Sequence, residues 1–182
     1  VLKNKDMELT LNTKGGVVTK AVIKNFEDRN GNNDVTLFDD KTQSLNFAMA
    51  AKTVNVNTAD LYFTPSNQTD STVTMTAAAG NGKSLVINYV LGKDYMLHTQ
   101  IQAVGLGNDF APSVDRMDVQ WKELARQQER GFTFENRYAS LTYHKAEGGT
   151  DYLSEAKSVT DEAIEDKIDW VAFKNQFFSA VM

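Results

Sequence analysis

The chain has 182 residues and is 41% hydrophobic, which is enough to bury a sizeable core within one domain. Nineteen basic residues against 24 acidic ones give a net charge of −5, and the charges are scattered, so we expect no nucleic-acid partner. Cysteine is absent, which excludes disulfides, zinc–thiolate sites and thiol catalysis.

Most of the chain alternates apolar and polar residues with a period of two, the pattern of strands with one buried face and one wet face. Clear examples, in chain order, are Met7 to Leu11, Leu45 to Met49 and Val73 to Ala77. Many strands without interleaved helices predict an antiparallel sandwich or barrel rather than a parallel α/β sheet.

The stretch from Asp28 to Asp34 is rich in oxygen donors, which are the ligands that calcium prefers. Its spacing does not fit a helix–loop–helix calcium site, because Gly31 stands in the fourth place from the first acid and not in the sixth. We interpret the stretch as a polar hairpin loop between two strands and predict no metal site.

Residues 84–91 and 95–104 predict a hairpin of two long strands. Gly92 lies between them, where a tight turn demands a positive φ. Further turn signals are Gly80 to Gly82 and Gly148 with Gly149.

Helical character is confined to the later third of the chain, around residues 122–130 and 160–167 and in the terminal segment. In that segment Trp170, Phe173 and Phe177 recur at helical spacing, so a helix there would carry a broad apolar face. The run from Trp170 to Phe173 could equally finish a strand.

Only two histidines are present, His98 and His144, and we interpret both as surface side chains. No nucleophile, base and orienting group can be assembled from the sequence. We therefore predict no catalytic residues and no cofactor.

Three segments carry a family resemblance. Leu9 to Phe26 has a strand, a Gly-Gly turn and a second strand, and Gly92 to Tyr95 joins a hairpin. Trp170 to Ala180 contains Trp-Val-Ala followed by Gln-Phe-Phe, the most specific of the three patterns. Together they resemble the periplasmic domain of the YidC family of bacterial membrane protein insertases, over the range from Met7 to Met182.

The resemblance implies a mainly β fold, an antiparallel β-supersandwich of the galactose-mutarotase-like type with short C-terminal helices. We expect residues 1–165 to form the sandwich and residues 166–182 to form a helical segment that leads to a missing transmembrane helix. Because the chain begins at Val1 rather than Met, we interpret it as an excised domain.

The family inserts and helps fold inner-membrane proteins, alone or with the Sec translocon, through a groove in its membrane helices. The resemblance therefore implies a non-catalytic domain at the periplasmic face of the bacterial inner membrane. The implied partners are the membrane core of the same protein, the Sec translocon including SecF, and nascent inner-membrane proteins. The predicted membrane-proximal or partner-contact residues are Trp170, Phe173, Phe177 and Phe178.

Two alternatives stay open at this point. Mutarotase-like folds also include carbohydrate-binding domains and sugar epimerases, although His98 and His144 lie in no motif of paired histidines. An extracellular adhesin-like sandwich has only the polar loops in its favour.

Overall fold

The computed structural model describes residues 1–110, 116–154 and 163–182, and 53% of it is strand against 5% helix. The described strands form four sheets in which every pair is antiparallel. The predicted mainly β, antiparallel fold class is therefore confirmed, and the sheets are consistent with a β-sandwich.

The elements are as follows. The first sheet contains, in spatial order, β1 (Leu2–Lys3), β2 (Met7–Leu11), β3 (Val18–Lys24) and β4 (Asp34–Phe38). The second contains β10 (Leu97–Val104), β9 (Lys83–Leu91), β8 (Thr72–Gly80) and β7 (Thr64–Ser66). The third contains β11 (Asp118–Glu123), β5 (Gln43–Ala50) and β6 (Asn55–Asn57). The fourth contains β13 (Thr150–Ser154), β12 (Ser140–Lys145), β14 (Ile168–Lys174) and β15 (Ser179–Val181).

One hydrophobic core joins the inner faces of the first and second sheets. Alternate residues of the strands point into it, as the period-two pattern predicts. Its members from the predicted strands are Met7, Leu9, Met49, Val73, Met75, Ala77, Leu85, Ile87, Tyr89 and Leu91. The fourth sheet adds Ala180, and Phe178 and Trp121 pack against the same cluster from its margin. The C-terminal hairpin therefore reaches the main core.

The predicted hairpin of residues 84–91 and 95–104 is confirmed as β9 and β10, in register from Ser84 opposite Val104 to Leu91 opposite Leu97. The reason given for Gly92 is wrong, because its φ is not positive. A Cβ atom there would lie 2.6 Å from Asp94 Oδ1 and 3.2 Å from the carbonyl oxygen of Met96. Glycine is required at this turn by close approach and not by a left-handed backbone.

The helices predicted in the later third are wrong wherever the structure describes those residues. Residues 122–123 end β11, and 124–130 form no regular element. The short helix α1 (Phe132–Asn136) follows instead. Residues 160–162 lie outside the described residues, and 163–167 form no helix.

The expected helix over residues 166–182 is also wrong, since this segment forms β14 and β15. The alternative left open for Trp170 to Phe173, a strand, is what the structure contains. Helix and strand patterns are easily confused in a short apolar run. Here β12 pairs with β14 from Ile168 to Lys174. The β-branched and aromatic residues of β14 favour this pairing.

Candidate functional site

The residues from Asn175 to Phe178 form the turn that joins β14 to β15. The buried Asn175 side chain organises it, because its Oδ1 accepts hydrogen bonds from the backbone N–H groups of Phe177 (3.3 Å) and Phe178 (3.0 Å). The Asn175 Nδ2 donates to the carbonyl of Arg126 at 3.4 Å, which ties the turn to the segment after β11. Phe177 is consequently held at the tip of the hairpin with 66% of its surface exposed.

The four predicted contact residues divide into two groups. The rings of Phe173 and Trp121 meet edge to face at 4.6 Å, and those of Phe178 and Phe26 do so at 5.6 Å. Trp170 stacks on the ring of His144 at 5.9 Å, with 19° between the planes. Among the described residues, Phe177 has no such ring partner. Phe173 and Phe178 therefore attach the fourth sheet to other parts of the domain, and Trp170 packs within its own sheet. Phe177 is presented to solvent.

The two histidines differ in environment. His98 is exposed on the polar face of β10, as predicted. His144 is half-buried, and its Nδ1 lies 3.3 Å from Asp169 Oδ2, so the interpretation as a lone surface histidine is wrong for His144. His98 in β10 and His144 in β12 belong to different sheets, so they are not neighbours within one sheet.

The polar stretch that starts at Asp28 is the loop between β3 and β4, which confirms the hairpin interpretation. Hydrogen bonds from the Asn32 side chain and from the Asn32 and Asn30 backbone lower the pKa of Asp28 to about 2. Within residues 1–110, 116–154 and 163–182, no group of three or more acidic or histidine side chains is placed to hold a metal ion.

A groove of about 300 Å³ lies between this loop and residues 124–128. Arg126 forms an ion pair with Asp39 beside it, and Arg29 donates to the Gln127 side chain across it. The Gln128 side chain donates to the Thr36 carbonyl at 2.8 Å, so the segment is held along β4. The polar groups of the groove are thus largely paired with one another.

Sequence reasoning missed a buried polar pair in the third sheet. Gln43 and Glu123 lie opposite each other in β5 and β11, and the Gln43 Oε1 and Glu123 Oε2 atoms are buried without a hydrogen-bond partner among the described residues. Burial raises the pKa of Glu123 to about 7. The available signal was alternation, because Glu123 follows Val119 and Trp121 at intervals of two and so shares their face.

Comparisons with known proteins cover the whole chain. Residues 1–182 match the model of the family described as the YidC periplasmic domain. The membrane protein insertase YidC of Phocaeicola vulgatus is 44% identical over 182 residues, which are 100% of this chain and 29% of that protein. The protein of that name from Bacteroides fragilis is 39% identical over 181 residues, 99% of this chain and 29% of that protein.

The chain thus spans less than a third of the length of these curated relatives. No solved structure matches it. Among the helices of the described residues, none has the length and apolar content needed to cross a bilayer. The family match and the relatives together establish that this chain belongs to the family of YidC periplasmic domains, which lie at the periplasmic face of the bacterial inner membrane.

Proposed function

We propose that this chain serves as the non-catalytic periplasmic domain of a membrane protein insertase, and that its C-terminal hairpin couples the sandwich to the membrane core of the same protein. The relatives are named membrane protein insertases, and the family is not a family of enzymes. The observation that carries the coupling role is Phe177, an exposed aromatic ring on a turn fixed by Asn175.

Physical chemistry supports this role for Phe177. An aromatic ring that is two-thirds exposed contributes little to the folding of its own domain, but it retains a large apolar surface to bury against a partner or a lipid boundary. The turn that presents it is fixed by three hydrogen bonds of the Asn175 side chain, which reduces the conformational entropy lost when the ring is buried. Phe173 and Phe178 support the same function indirectly, because their ring contacts hold the hairpin on the rest of the sandwich. Trp170 contributes within the fourth sheet, where it packs β14 against His144 of β12.

The test uses the full-length insertase, with insertion of a dependent client protein as the readout. We expect Phe177→Ser to reduce insertion while leaving the melting temperature of the isolated chain unchanged. Tyr62→Ser is the matched control, because Tyr62 is 72% exposed and lies before β7, outside the C-terminal hairpin. Normal insertion by Phe177→Ser, or an equal loss with Tyr62→Ser, would contradict the coupling role.

Phe178→Ser is a poorer probe of the same surface. Phe178 is half-buried, packs on the main core and meets the ring of Phe26, so its loss combines a surface effect with a folding effect. We expect this variant to lower the melting temperature of the isolated chain. Any insertion defect in Phe178→Ser is therefore interpretable only beside the Phe177→Ser result.

We also propose that the full-length protein receives nascent inner-membrane proteins and works with the Sec translocon, including SecF, and that it assists their folding. Family membership supports this proposal. The test is co-purification of SecF with the full-length protein and with a version that lacks this domain. Equal recovery of SecF in both would refute a SecF contact made by this domain.

A further inference from the structure

The strand β10 is the most exposed long strand of the described structure. Its outer face carries His98, Gln100, Gln102 and Val104, all of them exposed. On its inner face Leu97 and Ile101 are only half-buried, and Thr99 and Ala103 are exposed. The inner face of β10 therefore extends beyond the layer that covers β8 and β9.

One edge of β10 also has no neighbouring strand in the part of the chain that the structure describes. Within residues 1–110, 116–154 and 163–182, β9 is the only strand that pairs with it. Every second backbone N–H and C=O group of an edge strand points away from its sheet, and such a row can pair with another strand. In β10 this row runs over eight residues, a length of about 26 Å.

The other sheet edges are protected in ways that β10 is not. Natural proteins keep edge strands short or place charges and prolines on them, which disfavours pairing with other chains. In this structure β1, β6, β7 and β15 have two or three residues each, and β7 contains Pro65. The longer edges carry charges, namely Asp34 in β4, Asp151 in β13, and Asp118, Lys122 and Glu123 in β11. The residues of β10 include no Asp, Glu, Lys, Arg or Pro, and its pairing with β9 has no bulge.

We infer that the free edge of β10 pairs antiparallel with the β10 edge of a second copy of this chain. This inference does not rest on the proposed function. A two-fold axis through Ile101 places Thr99 opposite Ala103 of the second copy and Gln100 opposite its Gln102. In that register the inner-face residues of one copy lie opposite the inner-face residues of the other. The second sheet of each copy then joins the second sheet of its partner in one continuous sheet.

Two features of β10 favour a second copy of this chain as the partner of its free edge. Pairing with itself brings no like charges together, because β10 contains neither acidic nor basic residues other than His98. It also covers the part of Ile101 that the opposing layer leaves exposed, because the register places Ile101 beside Ile101 of the second copy. The interface is small, so the dimer is weak and forms at high concentration or when copies are confined together in a membrane.

The test is sedimentation equilibrium of the chain from about 10 μM to about 1 mM, a range suited to weak dimers. We expect the wild type to shift from monomer to dimer. The variant Gln100→Lys with Gln102→Lys places like charges opposite each other at the interface, and we expect at least about a tenfold weaker association. The control Thr76→Lys with Val90→Lys adds the same charge to the same outer face, on β8 and β9, and should dimerise like the wild type.

Hydrogen exchange provides a second readout. The outward-pointing amides of residues 97–104 should become protected as the wild-type concentration rises, and not in the Gln100→Lys, Gln102→Lys variant. A wild type that stays monomeric throughout, or a β10 variant that associates as tightly as the control, overturns the inference. If the wild type is monomeric but an uncharged extended peptide protects these amides, the edge serves another polypeptide and self-pairing is refuted.

Discussion

The buried pair of Gln43 and Glu123 yields a stability prediction with a definite sign. The two side chains are register partners, and each has a buried oxygen without a hydrogen-bond donor among the described residues. A protonated Glu123 carries a hydrogen-bond donor, whereas an ionised one leaves a negative charge in a poorly solvated place. Replacing Glu123 by Gln supplies an amide donor that does not titrate.

The direction of the pH effect follows from proton binding. Below about pH 4.5 both the folded and the unfolded chain hold the Glu123 proton, so this group adds no pH dependence. Between about 4.5 and 7 the unfolded chain releases the proton and the folded chain keeps it, so the free energy of unfolding falls as the pH rises. Above about pH 7 Glu123 is ionised in both the folded and the unfolded chain, and the extra stability that the folded chain has at low pH is fully lost.

The size of this change in the free energy of unfolding follows from the same pKa difference. A carboxyl whose pKa rises from 4.5 to about 7 costs the folded state about 3 kcal/mol at high pH, at about 1.4 kcal/mol per pKa unit. Because part of the Glu123 side chain stays in contact with water, solvent screening lowers this figure, and we expect about 1 to 2 kcal/mol. Glu123→Gln should gain that amount at pH 8 and change little at pH 4.5.

The assay is urea denaturation of the wild type and Glu123→Gln at pH 4.5, 6 and 8. Glu147→Gln, in the exposed turn between β12 and β13, removes one negative charge from the surface and controls for the change in net charge. If Glu123→Gln destabilises the chain at pH 8, or shifts its stability equally at all three pH values, burial of Glu123 is not the cause of the pH dependence.

Two further predictions concern packing. Gly16→Ala should destabilise the chain by about 2 to 4 kcal/mol, because Gly16 has a φ of +69° and its Cβ would lie 2.8 Å from the Phe63 ring. Gly80→Ala, with a φ of +78° and no atom within 4 Å of the new Cβ, should cost only about 1 kcal/mol by the same denaturation assay. A double-mutant cycle of Trp121→Leu and Phe173→Leu should give a coupling energy of about 0.5 to 1.5 kcal/mol; additive losses would show that their edge-to-face contact contributes nothing.

Period-two alternation was the most reliable signal for the fold. It located β2, β5 and β8, and the hairpin of β9 and β10, because burial on one face of a strand constrains every second residue directly. The arrangement of strands into four sheets was not predictable in the same way. The pairing of β12 with both β13 and β14 depends on contacts distant in sequence, which no local pattern records.

The terminal segment shows why a local pattern misleads. The spacing of Trp170, Phe173 and Phe177 fits one face of a helix, yet the three side chains have different surroundings in the strand and turn. Their partners are His144 for Trp170 and Trp121 for Phe173, and both partners lie in other strands. The sequence therefore located the aromatic residues of this segment, but it could not separate the exposed ring of Phe177 from the rings that pack against other strands.

The position of Phe177 is set by a chain of contacts that reaches across the domain. Arg126 pairs with Asp39, which follows β4, and its carbonyl accepts from the Asn175 side chain, which shapes the turn under Phe177. The hairpin tip is thus tied to the first sheet as well as to its own. This surface and the open edge of β10 lie in different sheets. A charge placed on β10 should therefore weaken self-association without affecting insertion, and loss of the Phe177 ring should do the reverse, so each proposal can fail alone.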